Sequence, residues 1–251
     1  MLKLNDIMEV CLLAGKVMLS FGGETYRVED TMTRIAKSFL IGETYSYVTP
    51  TGIFLTLQSA EKEELTKFVR IYERSIDLNK VTLVNEISRQ IAIGQLSIDD
   101  AKIKLKEIEN GQPLYPVWVQ VVSSAIASGF FALMFNGNWN DYLPAFIAGG
   151  LGFLLFILSH AIIQVRFFTE MVASLWIGAL AYFIYFYLGL GTNLDKIIIG
   201  AVMPLVPGVL ITNAIRDLMA GDLLSGLARG AEAFLTALAI GAGIAVVLAL
   251  F

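Results

Sequence analysis

The sequence predicts an α-helical membrane protein with about five transmembrane helices, preceded by a small cytosolic α/β domain. Three observations carry that expectation. Of the 251 residues, 56% are hydrophobic and only 16% charged, and mean hydropathy is +0.69; a soluble domain usually carries about a quarter charged residues. The charges are also uneven, with 14 of the 18 Lys+Arg and 16 of the 22 Asp+Glu lying before Pro113. Beyond it come charge-free runs at Asn110–Asn140, Tyr142–Val165, Met171–Leu194, Ile197–Ile215 and Ala233–Phe251. Each holds about 18 or more mostly apolar residues, the length a membrane-crossing helix needs. The expected division is 1–113 for the cytosolic domain and 114–251 for the membrane domain.

Composition also excludes classes. A net charge of −4 and a pI near 5.1 leave no basic stripe for nucleic acid. One cysteine, Cys11, cannot form an internal disulfide; among apolar neighbours it is a small buried side chain that suits a reducing compartment. The start of the chain has charges and no uninterrupted apolar run, so no secretory signal is expected. No H-E-x-x-H, G-x-S-x-G or Cys/His cluster occurs, so no enzyme, cofactor or metal is expected. Asp217 and Asp222, five apart, fit poorly as the facing pair of an intramembrane aspartyl protease. No P-loop is present, so transport here would be secondary rather than ATP-driven.

The first domain reads in order as helices, a hairpin and more helices. Leu4, Ile7, Met8, Cys11, Gly15, Met18 and Leu19 keep helical spacing, as do Val28, Met32, Ile35, Ala36 and Phe39, with Gly22 and Gly23 between the two sets. β-rich runs at Tyr45–Thr49 and Ile53–Gln58 flank the turn signal Pro50-Thr51-Gly52, and a third strand is expected over Leu65–Tyr72. Asp77 is placed to N-cap a helix with Val81, Val84, Ile87 and Ile91 on one face, ended by Gly94. Ser97 and Asp100 form a capping box that opens a last helix, stopped at Asn110-Gly111-Gln112-Pro113.

Five spans are then expected over 116–136, 142–163, 171–190, 196–215 and 230–251. The positive-inside rule puts the connection with Arg166 and the stretch from Arg216 to Arg229 in the cytoplasm, leaving Lys196 as the lone basic residue outside. This sets a cytoplasmic amino terminus and an outer carboxy terminus, with the bilayer as the first partner.

Candidate site residues cluster near the end. Pro204, Pro207 and Gly208 interrupt the fourth span. Each proline removes a backbone donor and costs roughly 3 kcal/mol in a helix interior. Inside a membrane such backbone persists where it is buried in protein or lines a polar cavity; a discontinuous helix can present its freed carbonyls to a polar solute, while a simple kink is the alternative. Asn213, Arg216, Asp217, Asp222, Ser225, Arg229 and Glu232 follow within twenty residues and belong at the cytoplasmic edge, as a solute vestibule or gate or as a solvated turn. Arg229 and Glu232, three apart, can pair on one helix face. Gly226, Gly230, Gly241 and Gly243 offer the last span a flat face for close packing. In the first domain, Glu24, Arg27, Thr31 and Arg34 form a polar stripe expected to face water, and Glu24, Arg27 and Glu29 belong to the G-G-E-T-Y-R-V-E-D segment at 22–30.

That segment, extended as G-G-E-T-Y-R-V-E-D-T-M-T-R-I-A, together with T-P-T-G-I-F at 49–54 and P-L-V-P-G-V-L-I-T-N-A-I-R-D-L-M-A-G-D-L-L-S-G-L-A-R-G-A-E-A at 204–233, resembles the threonine/serine exporter family. The similarity runs along nearly the whole chain. It implies secondary efflux of small polar metabolites: threonine and serine in the named members, dicarboxylates such as succinate in related two-component members. Full-length members carry a second membrane half, which the resemblance makes a separate small membrane subunit here. It also makes Arg27 and Glu29 candidates for a gate or regulatory contact. A membrane-embedded hydrolase with catalysis in the first domain and a non-transporting assembly factor are the competing readings.

Overall fold

The computed structural model describes residues 4–39, 42–59, 63–112, 114–162 and 167–250. The expectations for Pro113, Arg166 and Phe251 lie outside the described residues. The described residues fall into two compact units, Met1–Leu114 with Val209–Ala231, and Tyr115–Gly208 with Glu232–Phe251. Residues 209–231, assigned above to the membrane domain, thus cluster with the amino-terminal elements.

In the first unit, α1 (Leu4–Ser20) is apolar almost all round and buried along its length, as a helix at the centre of a core must be. Four elements pack on it: α2 (Thr25–Ser38), the sheet, α3 (Leu78–Ala92) and α4 (Ile98–Asn110). Gly15 lets α2 approach closely, since a Cβ there would meet the Met32 sulfur at 2.6 Å. Cys11 is fully buried in this core, and burial pushes its thiol up to about 12.

The sheet is an antiparallel meander of β1 (Glu43–Thr49), β2 (Gly52–Gln58) and β3 (Glu64–Arg70). Thr49 pairs with Gly52, so Pro50 and Thr51 form the two-residue connection. Val48, Ile53, Leu55 and Leu57 face the core, as the period-two pattern requires. The expected caps are in place: Asp77 accepts the Asn79 and Lys80 amides at 3.1 and 3.3 Å, and Ser97 accepts the Asp100 amide at 3.2 Å. Lys80 closes the far end of α4, donating to the Glu109 and Gly111 carbonyls at 3.2 and 2.7 Å with its ammonium 4.2 Å from the Phe21 ring centre.

The second unit holds α5 (Val117–Met134), α6 (Trp139–Ile162), α7 (Phe168–Phe186), α8 (Leu194–Val202) with a 3-10 turn at Met203–Leu205, and the later part of α10 (Leu223–Leu250). Small residues set the helix spacing. A Cβ on Gly152 would sit 2.1 Å from Ile177, and one on Gly200 would sit 2.6 Å from the Ala132 amide. Gly243 packs on Ser174 and Met171 in the same way, whereas Gly241, expected on a packing face, has nothing within 4 Å. By length and composition four helices among the described residues can cross a bilayer, Val117–Met134, Trp139–His160, Phe168–Phe186 and Leu223–Leu250, or five if the interrupted pair Leu194–Leu205 and Gly208–Ala220 (α9) counts as one span. The last helix begins at Leu223, earlier than the expected 230.

Asp141, which the sequence did not single out, is a clasp within the second unit. It is fully buried and accepts the Asn138 amide at 2.8 Å, the Asn193 amide at 3.0 Å and the Asn193 side-chain amide at 3.2 Å. The Thr192 amide and hydroxyl also donate to it. This fixes the start of α6 to the segment that leads into α8. Asp141→Ala should strand these donors and lower stability by about 3 kcal/mol, since hydrogen bonds to charge contribute roughly 1.5–3 kcal/mol each; thermal unfolding of the detergent-solubilised chain measures it.

Candidate functional site

The two polar segments read separately in the sequence, 22–30 and 213–229, form one cluster inside the first unit. It begins at the turn between α1 and α2. Gly22 takes φ 95°, the left-handed position that favours glycine, and the Gly23 amide bonds the Met18 carbonyl at 2.8 Å. This is the Schellman closure of a helix end. A Cβ on Gly23 would lie 2.8 Å from that carbonyl. The last carbonyls of the turn are all taken: Ser20 by the Ser75 amide, Phe21 by the Asp77 amide, Gly22 by the Asn213 side-chain amide at 2.9 Å and Gly23 by Arg229 at 2.8 Å.

Helix α2 starts directly afterwards, and its amino-terminal amides need an acceptor. Its N-cap residue, Glu24, makes no side-chain cap. Asp217, from α9, supplies one instead: Oδ1 accepts the Thr25 amide at 3.2 Å and Oδ2 the Thr25 hydroxyl at 3.1 Å. Arg229 Nε lies 3.3 Å from the same carboxylate, with side-chain exposures of 5% and 0% for the pair. The anion therefore sits at the positive end of α2 and the guanidinium at the negative end of α1, each where the helix dipole favours it.

Glu24 was expected to face water but is 6% exposed. Residues from 209–231 cover it, and its carboxylate is held between Arg27, at 3.1 Å, and Arg216. Thr31, expected on the same wet stripe, is also buried and donates to Asn85 at 3.4 Å. Arg27 and Arg34 do reach solvent.

Glu29 and Ser225 close the outer edge of β1 at Val48. Glu29 accepts the Val48 amide at 3.0 Å and Ser225 donates to the Val48 carbonyl at 3.4 Å, so this part of the edge strand has no unpaired backbone. Burial pushes the Glu29 carboxyl up, the Val48 amide pulls it back, and the Asp222 charge adds to the rise. Asp222 is raised by burial and then by Asp217. It follows Gly221, φ 92°, in the turn from α9 to α10.

Pro204, Pro207, Gly208 and Glu232 belong to the second unit. The helix stops there as the prolines require. Met203–Leu205 tightens to a 3-10 turn, Val206 is extended at φ −62°, ψ 130°, and the Gly208 amide bonds the Val206 carbonyl at 2.8 Å around Pro207. Ser128, from α5, donates to the Ala201 carbonyl just before the break at 3.5 Å. Sequence reasoning missed Thr25 and the Gly22, Gly23 and Val48 backbone groups, because their partners lie about 190 positions away; the cluster of Gly, Glu and Thr ahead of a helical pattern was the only local signal.

These features define a multi-pass membrane protein whose polar cluster is internally satisfied. Residues 9–251 match the family described as "Putative threonine/serine exporter", and the chain belongs to that family. It is 24% identical over 97% of its length to an uncharacterised protein of Schizosaccharomyces pombe, covering 30% of that protein. It is 26% identical over 98% of its length to "Probable succinate transporter subunit YjjP" of Escherichia coli, covering 94% of it. It is 23% identical over 93% to "Probable threonine/serine exporter" of Mycobacterium tuberculosis, covering 44%. The chain therefore spans less than half of the fission-yeast and mycobacterial proteins and nearly all of the enterobacterial one. No solved structure matches it.

Two outcomes follow from the geometry. Asp217→Ala leaves the buried Arg229 charge without its carboxylate partner and the Thr25 amide without its acceptor, so it should lower stability by about 3–5 kcal/mol, the usual cost of breaking a buried pair; denaturant unfolding monitored at the first unit checks this. Because the folded state holds the Glu29 proton more tightly than the unfolded chain, this group's contribution falls as pH rises from the ordinary carboxylate range through the raised value. Glu29→Gln should therefore stabilise the chain at neutral pH and lose that advantage in acid, as pH-dependent melting will show.

Proposed function

We propose that this chain is one subunit of a secondary transporter that exports small polar metabolites, threonine/serine-type amino acids or dicarboxylates such as succinate, across the plasma membrane. The observation that carries this reading is the family match over residues 9–251, together with a relative of nearly the same length named as a transporter subunit. The partner proposed is a separate small membrane subunit resembling the part that longer relatives carry on the same chain. The amino terminus lies in the cytoplasm and the carboxy terminus outside.

In this reading the break at Met203–Gly208 supplies the solute contact. Backbone carbonyls near a proline break are polar groups at membrane depth, and transporter folds place substrates at such interruptions. Pro204, Pro207 and Gly208 shape that backbone. The cluster of Asn213, Arg216, Asp217, Ser225 and Arg229 acts as a gate anchor rather than a solute contact. Its donors and acceptors are already engaged with Gly22, Gly23, Glu24, Thr25 and Val48. A solute entering it would have to displace buried, charge-assisted bonds of roughly 1.5–3 kcal/mol each. Asp222, Arg27 and Glu29 flank the gate as regulatory contacts.

Vesicles loaded with threonine, serine or succinate should release one of them only when this chain and its partner subunit are both present. Release of none, with hydrolysis by the full chain, would replace the transporter with a membrane hydrolase. Pro204→Ala combined with Pro207→Ala should leave insertion intact and abolish efflux; normal efflux would reduce the break to a kink.

A further inference from the structure

The outer face of the β1–β2–β3 sheet is uncovered and carries residues poorly suited to open water. Strand register fixes four rows across it: Thr49, Gly52 and Arg70; Tyr47, Phe54 and Phe68; Tyr45, Thr56 and Thr66; Glu43, Gln58 and Glu64. Tyr45, Tyr47, Phe54 and Phe68 in the two middle rows are 46–60% exposed. Phe54 lies 4.5 Å from Phe68, ring centre to ring centre, and the Thr56 and Thr66 hydroxyls bond across the strands at 2.9 Å. Four large aromatics side by side on a sheet face mark a protein contact, because each leaves apolar area in water that a partner would cover.

The charges on this face are segregated. Glu43 and Glu64 stand at one end and Arg70 at the other, all three exposed. A face with acid at one end, base at the other and aromatics between is complementary to its own copy. Laying a second copy on it about a two-fold axis that runs across the strands keeps β3 over β3 and reverses the row order. Arg70 of each copy then meets Glu64 of the other, twice by symmetry, and the aromatic row covers the Tyr–Thr row. An axis along the strands would instead oppose the two acidic ends, which like-charge repulsion disfavours. An anionic bilayer surface would also repel Glu43 and Glu64.

We propose that this sheet face is a self-association surface that joins two copies of the chain, strands reversed, with Arg70 against Glu64 and the aromatic rows between. The proposal does not depend on which solute is exported. It is tested on the full chain in its membrane. Thr56→Cys sits next to the two-fold axis, and the wild-type chain is the control because buried Cys11 is unreactive. A short thiol-to-thiol crosslinker should convert Thr56→Cys, and not the wild type, into a covalent dimer. Arg70→Glu or Glu64→Arg in that background should each lower the yield about tenfold, since each reversal sets like charges together twice. The double reversal should restore it. No dimer from a Thr56→Cys chain that a monofunctional maleimide labels would overturn the proposal. An adduct with a different protein, labelling only by a lipid-phase reagent, or a double reversal that fails to restore crosslinking would do the same.

Discussion

The ion pair between Asp217 and Arg229 is the interaction on which the first unit depends. It spans two helix ends that meet head to tail at the Gly22-Gly23 turn. The carboxylate faces the amino terminus of α2 through Thr25, and the guanidinium faces the carbonyls that end α1 at Gly23. A buried pair of this kind is costly to desolvate, and it is tolerable because every lobe finds a partner. Thr25 supplies two donors, Gly23 an acceptor, and the two helix dipoles point the right way for both charges. The same pair ties residues 209–231, which follow the proline break in the chain, into the amino-terminal core.

Around that pair the neighbouring contacts form a graded set. Glu24 is gripped by two arginines, one local and one from α9. Asn213 holds the Gly22 carbonyl and Ser225 the Val48 carbonyl. Glu29 and Asp222 are the uneasy members, since burial and neighbouring carboxylates raise both. A unit that is fully bonded at its centre and strained by charge at its margin is suited to hold one arrangement and to yield at the rim first.

Much of the architecture was legible because its causes are local. Asp77 and Ser97 announce helix starts through their own reach to nearby amides, and Pro50-Thr51-Gly52 announces a hairpin through backbone chemistry. The apolar runs announce spans because bilayer thickness sets a length. Pro204 and Pro207 announce a break because a proline has no amide hydrogen. What escaped was non-local. Glu24 and Thr31 sit on what spacing marks as a wet stripe, yet they are buried, because Arg216 comes to Glu24 from α9 and Asn85 to Thr31 from α3. Asp217 and Thr25 carry no mutual signal in a single chain, and nothing local marks Asp141 for the Thr192 and Asn193 donors that lie about fifty positions on.

The assignment of the polar cluster as an anchor rests on Asp217 capping α2 from α9. Hydrogen exchange at the Thr25 amide in the membrane-embedded chain tests this most directly, comparing wild type with Asp217→Ala. The expected result is markedly faster exchange at Thr25 and the following turn of α2, with the buried middle of α1 unchanged. Exchange at Thr25 that is slow and identical in both chains would contradict the account.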